Sequence, residues 1–282
     1  MGEPSPPCVP PPRPAVRAVA PRGAPAVSLR VRVIASGSGG NAALYSAGGT
    51  HVLLDCGVSA RRLTFALREE GIEPDELSGV FITHEHTDHV QGLRVFLKRR
   101  RVPLFIAPES WAALARCGVE ARSVEPLRGG VRVQLGPLGL TPFPLPHDAA
   151  SCFGFVVESA GVRAVQATDL GTPTALVRER LRDAHCILLE FNHDPDLLMR
   201  GSYPLDVKIR VRGRLGHLSN DQAGTLLAGC VHGDLQAVYL MHLSRENNQP
   251  HMALLSAREA LGGRRVPLRV AQQDSPVEAW EG

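Results

Sequence analysis

Four potential metal ligands lie within six residues in the segment Thr83-His84-Glu85-His86-Thr87-Asp88-His89, directly after an apolar strand predicted at 79–83. Side chains alternate along an extended chain, so His84 and His86 point to the same side and can hold one ion. Asp88 and His89, at the following turn, can reach a second ion. The alternative is a polar loop whose histidines are solvated, which this density of ligands disfavours. The segment therefore predicts a two-metal site at the end of a strand.

Further metal donors are expected where other strands end. His147 follows the apolar run 142–146, Asp169 follows the strand predicted at 164–168, and His242 follows 238–241. Each alone is explained as a polar residue at a strand end. Together they favour a shared site, because scaffolds usually carry function in the loops at one end of a sheet.

The order of predicted elements indicates one layered α/β domain. Nine of the 23 prolines fall in the first 25 residues, so we expect residues 1–27 to be a disordered Pro- and Arg-rich tail. From residue 28 to 282 strands and helices alternate, which favours two sheets with helices outside. The second strand is predicted at 52–55, a helix at 91–100 and a single strand at 131–143.

Composition narrows the class and the cellular compartment. The chain has 282 residues, 44% hydrophobic and 21% charged, which is ordinary for a globular protein with a sizeable core. It has neither an apolar run long enough to span a membrane nor a secretory signal, and its six cysteines are scattered singly. We therefore expect a cytoplasmic protein with reduced cysteines and no membrane partner. The net charge is +3, but residues 31–282 carry 27 basic and 27 acidic residues, so a nucleic-acid surface requires local clustering.

The order H-x-H-x-D-H, then His, Asp and His, resembles the metallo-β-lactamase fold over 28–272. The resemblance implies a four-layer αββα sandwich and two divalent ions. It assigns His84, His86 and His147 to one ion and Asp88, His89 and His242 to the other. Asp169 and a hydroxide would bridge the two ions, and Asp55 would order the histidine loop from behind.

The expected chemistry is hydrolysis, because two divalent ions lower the pKa of a bridging water and stabilise charge on a carbonyl or phosphoryl centre. Asp88, Asp55 and His217 are the residues assigned to catalysis. A carboxylate at Asp169 favours phosphodiester-cleaving members of the fold over true β-lactamases, which the resemblance suggests have a cysteine near that point. Imidazole and carboxylate ligands suit Zn or Mn.

Four further strings resemble the YycJ family of bacterial metallo-hydrolases, also called WalJ or VicX, which is linked to 5′-to-3′ exonuclease activity on DNA. They are 35–41, 190–194, 208–211 and 216–220, closed by 242–248. The Gly216-His217-Leu218-Ser219 turn also resembles tRNase Z, which implies that His217 donates a proton to the leaving oxygen or holds the scissile phosphate. The alternative is that Ser219 or Asn220 simply caps a helix while His217 faces solvent.

Substrate contacts are predicted at Ser38 and Asn41, in a loop whose glycines bring backbone N–H groups close to a phosphate, although a tight turn explains the glycines equally well. Asn192 and His193 are further candidates that a simple turn also explains. Cations at 208, 210, 212 and 214 share one face if that segment is extended, and the resemblance instead suggests a helix; Lys208 and Arg210 are the favoured contacts. The run 98–101 is interpreted as the positive end of a helix.

The favoured function is a binuclear metal-dependent phosphodiesterase acting on nucleic acid, with DNA preferred over RNA and 5′-to-3′ exonuclease activity expected. The alternatives are hydrolysis of a small cyclic phosphodiester or thioester, and a non-catalytic regulator, which the complete ligand set disfavours. The sequence leaves the formation of a homo-oligomer open.

Overall fold

The computed structural model describes residues 28–98 and 100–282. Residues 1–27, the expected disordered tail, lie outside the described residues, as does Arg99. Within the described part of the chain, none of the helices is long and apolar enough to cross a bilayer.

Two mixed sheets form the centre of the molecule, each with seven strands among the described residues. The first has the order β14-β1-β2-β3-β4-β5-β6, and its strands are β1 Arg30–Ala35, β2 Ala42–Ala47, β3 Thr50–Leu54, β4 Leu77–Phe81, β5 Leu104–Ile106, β6 Val124–Pro126 and β14 Trp280–Glu281. The second has the order β13-β12-β11-β10-β9-β8-β7, and its strands are β7 Val133–Leu135, β8 Leu138–Pro144, β9 Phe153–Ser159, β10 Val162–Ala167, β11 Cys186–Glu190, β12 Ala237–Met241 and β13 Leu268–Val270.

Helices cover the outer face of each sheet. Those on the first sheet are α1 Ala60–Glu69, α2 Thr87–Val90, α3 Leu93–Leu97 and α4 Pro108–Arg116, with a short 3-10 turn at Pro74–Glu76. Those that follow the strands of the second sheet are α5 Ala175–Leu181, α6 Pro195–Arg200, α7 Leu205–Arg212, α8 Asn220–Ala228 and α9 Pro250–Ala260.

Three apolar clusters hold these layers together. One lies between the two sheets and includes Tyr45, Phe155 and Tyr239, all fully buried. A second packs the first sheet against α1 and α3, and a third packs the second sheet against α5, α8 and α9. Both sheets are therefore apolar on two faces, and the predicted αββα sandwich is confirmed.

The structure corrects several predicted elements. The strand expected at 131–143 is a hairpin of β7 and β8 that turns at Gly136, whose φ is +49°. The helix expected at 91–100 is shorter, since α3 covers Leu93–Leu97 after the separate turn α2. The strand β2 had not been predicted, because five of its six residues are buried and the segment therefore lacks polar alternation.

Candidate metal centre

Three polar residues lie within two residues of the ends of strands in the two sheets, and all three have a left-handed backbone. They are Asp55 after β3 (φ 63°), Asp169 two residues after β10 (φ 63°) and His242 after β12 (φ 55°). This conformation costs a non-glycine residue about 1–3 kcal/mol and is typical of functional sites. The three turns bring side chains from both sheets together at one edge of the sandwich.

Asp55 holds the histidine loop in place. Its Oδ1 accepts the Thr83 N–H at 2.8 Å, and its Oδ2 lies 2.8 Å from His89 Nδ1. Because a carboxylate only accepts, Nδ1 donates this bond and the lone pair of His89 is left on Nε2. The structure thus places Asp55 behind the loop, where it sets the tautomer of His89, as the resemblance implied.

The first ligand group consists of His84, His86 and His147, whose ligand atoms lie within 4.8 Å of one another. His147 Nδ1 lies 3.1 Å from the Gly216 carbonyl oxygen and donates to it, which leaves Nε2 facing the group. His84 Nε2 and His147 Nε2 are buried and make no hydrogen bond to any described residue. Such an atom costs about 1–3 kcal/mol when it has no partner. These nitrogens fit a bound cation.

The second ligand group consists of Asp88, His89 and His242, again within 4.8 Å of one another. His242 Nε2 lies 3.2 Å from Asp88 Oδ2. Asp169 connects the two groups, because its Oδ2 is 3.2 Å from His89 Nε2 and its Oδ1 is 3.8 Å from His147 Nε2. A carboxylate thus lies between the two ligand groups, and its role as a bridge between two ions stays a prediction.

Electrostatic interactions within the cluster favour neutral imidazoles at His84 and His147 and an ionised carboxylate at Asp169. Burial lowers the pKa of His84 and of His147, so both are held neutral, which is the form that binds a metal. Burial alone would raise the pKa of Asp169, but His242 and His89 hold it well below its usual range. The donor set of imidazole nitrogen and carboxylate oxygen suits Zn, Mn or Fe.

Glu190, at the end of β11, is a site residue that the sequence interpretation missed. The carboxylate is fully buried and accepts the N–H groups of Leu170 and Leu218, both at 3.0 Å. Its Oε1 also lies 2.7 Å from His217 Nδ1. Burial raises the pKa of Glu190, but His217 outweighs burial and lowers it to about 2. The available signal was a lone carboxylate ending an apolar strand.

His217 faces Glu190 and not the solvent. Its side chain is 20% exposed, and its ring lies 5.2 Å from the rings of His147 and His242. Burial would lower the pKa of His217, yet the Glu190 carboxylate raises it above its ordinary value. Ser219 caps α8 by accepting the Gln222 N–H, so the capping interpretation is confirmed, whereas the solvent-facing position is wrong.

Three of the six predicted substrate contacts are buried, and two of these, Asn41 and Asn192, form hydrogen bonds with ligand residues. Asn41 Nδ2 donates to Asp88 Oδ2 at 3.1 Å, and Asn192 Nδ2 donates to the His242 carbonyl at 2.9 Å. Burial lowers the pKa of His193 to about 4. All three residues are at least 96% buried, and their contact with a substrate stays a prediction.

Three backbone N–H groups in the loop before Asn41 donate to acceptors within the protein. Gly37 N donates to Asn41 Oδ1, Gly39 N donates to Gln273 Oε1, and Gly40 N donates to the Gly37 carbonyl. The tight-turn interpretation is thus favoured over a phosphate cradle. Ser38 is exposed on the outer side of this turn, and its contact with substrate remains a prediction.

Lys208 and Arg210 lie on α7, so the extended arrangement of four cations on one face is wrong. Lys208 Nζ donates to the carbonyls of Met199 and Gly201 at the end of α6, at 3.0 and 2.7 Å. Arg210 pairs with Asp148, the residue that follows His147. Arg210 therefore lies at the rim of the metal centre, whereas Lys208 stabilises a helix end.

Known proteins align with most of this chain. It is 26% identical over 239 residues to the exodeoxyribonuclease YycJ of Bacillus anthracis, covering 83% of this chain and 90% of that protein. It is 28% identical over 231 residues to the exodeoxyribonuclease WalJ of Streptococcus pneumoniae, covering 80% and 86%. The metallo-β-lactamase fold protein YhfI from Bacillus subtilis superposes with a TM-score of 0.69 at 15% identity, covering 91% of this chain and 100% of that one.

The protein family described as the beta-lactamase superfamily domain matches residues 50–243, well over half of the chain. This span contains every residue of the two ligand groups and Asp169. The fold, the matched domain and the alignment with the YycJ and WalJ proteins agree with the resemblance that the sequence motifs indicated. The chain therefore belongs to the β-lactamase superfamily and is a metal-dependent hydrolase that is similar in sequence to the YycJ and WalJ proteins.

Proposed function

We propose that this protein is a binuclear phosphodiesterase that digests DNA from the 5′ end, with Zn or Mn as its metal. The observation that carries the proposal is the pair of ligand groups joined by Asp169, with buried ring nitrogens at His84 and His147 that have no hydrogen-bond partner among the described residues. The residues present fit two divalent cations.

In this proposal His84, His86 and His147 hold one ion, and Asp88, His89 and His242 hold the other, with Asp169 shared between them. When bound, such ions stabilise the negative charge that develops on a phosphoryl oxygen and lower the pKa of water in the site. The protein prepares the ligands for this role: Asp55 fixes the tautomer of His89, and the Gly216 carbonyl fixes that of His147.

A phosphodiester substrate is favoured by the shared carboxylate and by the relatives. Asp169 stands between Thr168 and Leu170, with no cysteine next to it in the sequence. The proteins that align with four fifths of the chain are named exodeoxyribonucleases, which supports DNA as the substrate. Arg210, exposed at the rim beside Asp148, is the cation that we propose contacts a substrate phosphate.

His217 is the proposed proton donor to the leaving oxygen. Its Nδ1 donates to Glu190, so Nε2 is the atom left to carry a transferable proton. Glu190 stabilises the protonated ring, because a buried carboxylate at 2.7 Å favours the cation over the neutral imidazole. Leu170 N and Leu218 N keep Glu190 oriented, so the pair is held in one geometry before substrate binds.

A substrate panel tests this function. Protein loaded with Mn or Zn is incubated with duplex DNA, with RNA of the same sequence and with bis(p-nitrophenyl) phosphate, beside a matched His84→Ala/His147→Ala variant. We expect metal-dependent digestion of DNA that the variant lacks. Turnover of the small diester with no digestion of either nucleic acid would contradict a nuclease and support a small-molecule phosphodiesterase.

A further inference from the structure

The outer faces of α1 and α3 lie next to each other, where Phe65 and Val95 line one hollow, and the metal centre does not use them. We call the exposed side chains Arg61 and Phe65 on α1 and Arg94, Val95 and Lys98 on and after α3 the α1/α3 face; Arg68 and Glu69 are also exposed, at the end of α1. Phe65 is 64% exposed and Val95 is 66% exposed. Single exposed apolar side chains are common on protein surfaces, but Phe65 and Val95 lie together in one hollow.

This face begins at the metal centre. Gly57, three residues before α1, packs so closely on the Asp88 carbonyl that a Cβ would lie 1.7 Å from that oxygen. The turn α2 carries Asp88 and His89 and leads into α3, and Gly92 N donates to the Cys56 carbonyl at 2.9 Å. Both helices therefore start at the edge of the site and run away from it.

The core does not need the apolar side chains of this face. The buried residues of α1 are Leu63, Ala66 and Leu67, and those of α3 are Leu93, Phe96 and Leu97. Phe65 and Val95 instead line a surface hollow of about 400 Å³ together with Arg61, Arg68 and Arg100. An aromatic ring thus stands beside guanidinium groups in an open recess.

The face carries an excess of cations although the folded part of the chain is neutral overall, and the exposed carboxylate Glu69 lies at the end of α1. No acidic residue occurs in the sequence between Asp88 and Glu109, a stretch that includes Arg94 and the run 98–101. Arg61, Arg94 and Lys98 form no ion pair with any carboxylate among the described residues, although Glu120 lines a hollow with the latter two. Arg68, at the far end, is paired with Glu73.

We propose that the α1/α3 face binds the nucleic-acid strand beyond the scissile phosphate, an inference that rests on the proposed nuclease function. Arg61, Arg94 and Lys98 contact phosphates, which supplies affinity that does not depend on sequence. Phe65 stacks on a base, because an exposed ring beside cations is the arrangement that single strands use. A positive helix end explains the position of Lys98 but not Arg61 or Phe65.

Binding of a fluorescent single-stranded oligonucleotide, followed by anisotropy over a range of salt concentrations, tests the proposal. Phe65→Ala should weaken binding about tenfold. In the triple variant Arg61→Gln/Arg94→Gln/Lys98→Gln, the negative slope of log affinity against log salt concentration should become shallower by about two to three. All of these side chains are exposed, so the variants should keep the melting temperature of the wild type.

Matched controls lie on α9, which covers the other sheet, and in the segment that follows it. They are Leu255→Ala, at a side chain 60% exposed, and the triple variant Arg258→Gln/Arg264→Gln/Arg265→Gln. The proposal requires these controls to bind like the wild type. Equal weakening by both sets would overturn it, because only general charge would then matter.

The outcomes also separate this proposal from the proposed function. If the wild type digests DNA and the α1/α3 variants bind as well as it does, only the proposal about this face fails. If the wild type turns over a small diester but binds no oligonucleotide, the nuclease function fails with it. Conversion of a dimer to a monomer by Phe65→Ala, with unchanged affinity for the oligonucleotide, would overturn the proposal in favour of a contact between copies of this chain.

Discussion

Replacement of Glu190 by glutamine tests the proposed proton donor. The carboxylate makes three hydrogen bonds at once, to Leu170 N and Leu218 N through Oε2 and to His217 Nδ1 through Oε1. Glutamine has the same shape but a single acceptor oxygen. If that oxygen stays with the two backbone N–H groups, the amide N–H faces His217, whose Nδ1 must then accept instead of donating.

The change removes a hydrogen bond between charged groups, which is worth about 1.5–3 kcal/mol. We therefore expect kcat on DNA to fall by about tenfold to about 100-fold. The pH profile should shift as well. Burial lowers the pKa of His217 and Glu190, with a smaller contribution from Asp169, raises it, so the pKa should fall when the Glu190 carboxylate is removed. The protonated donor, and the activity that needs it, is then lost at a lower pH.

The assay compares two leaving groups. An alkoxide leaving from DNA needs a proton, whereas a nitrophenolate departs without one, so Glu190→Gln should slow DNA cleavage and leave the aryl diester nearly unaffected. Metal content should be measured alongside, because Glu190 Oε1 also lies 3.4 Å from His242 Nδ1. Equal losses on both substrates, or no loss on DNA, would refute the reasoning.

Three further predictions concern the frame of the site. Asp55→Asn loses the carboxylate that orients His89, so metal affinity measured by chelator competition should fall about 10- to 100-fold, and unchanged affinity would contradict this role. Gly57→Ala would place a Cβ 1.7 Å from the Asp88 carbonyl oxygen and should lower the free energy of unfolding by about 1–3 kcal/mol or more. Gly229→Ala is the control, because a Cβ there would lie 3.6 Å from the nearest atom and should not destabilise the protein. Removal of the metals with EDTA should lower the melting temperature, because an ion at 100 times its Kd stabilises the folded state by about 2.7 kcal/mol; an unchanged melting temperature would argue against these sites.

The sequence predicted the layers of the fold because its apolar strands and the H-x-H-x-D-H segment are local signals. The sequence interpretation missed β2, because burial on both faces removes the alternation of polar and apolar residues. It also left open whether the segment that forms α7 is a strand or a helix. No residue of α7 is buried, so its apolar residues carry no helical period. Lys208 and Arg210 alternate with apolar residues, and this period of two is also typical of a strand.

The supporting residues of the site were beyond local reasoning. The side-chain amide of Asn192, a predicted substrate contact, donates to the carbonyl of His242, 50 positions away in the sequence. Glu190 gave only the signal of one carboxylate after an apolar strand, and its partner His217 lies 27 positions further on. Hydrogen bonds over such separations depend on how β11 and β12 align in the sheet, which no single-sequence motif records.

The most direct test of the central claim is the digestion of duplex DNA labelled at either the 5′ or the 3′ end by protein loaded with Mn or Zn. An Asp88→Ala/His89→Ala variant, which removes two ligands of one ion, is the control. We predict metal-dependent release of nucleotides from the 5′ end that the variant does not perform. Digestion by the variant at the wild-type rate, or no digestion with any metal, would contradict a binuclear DNA exonuclease.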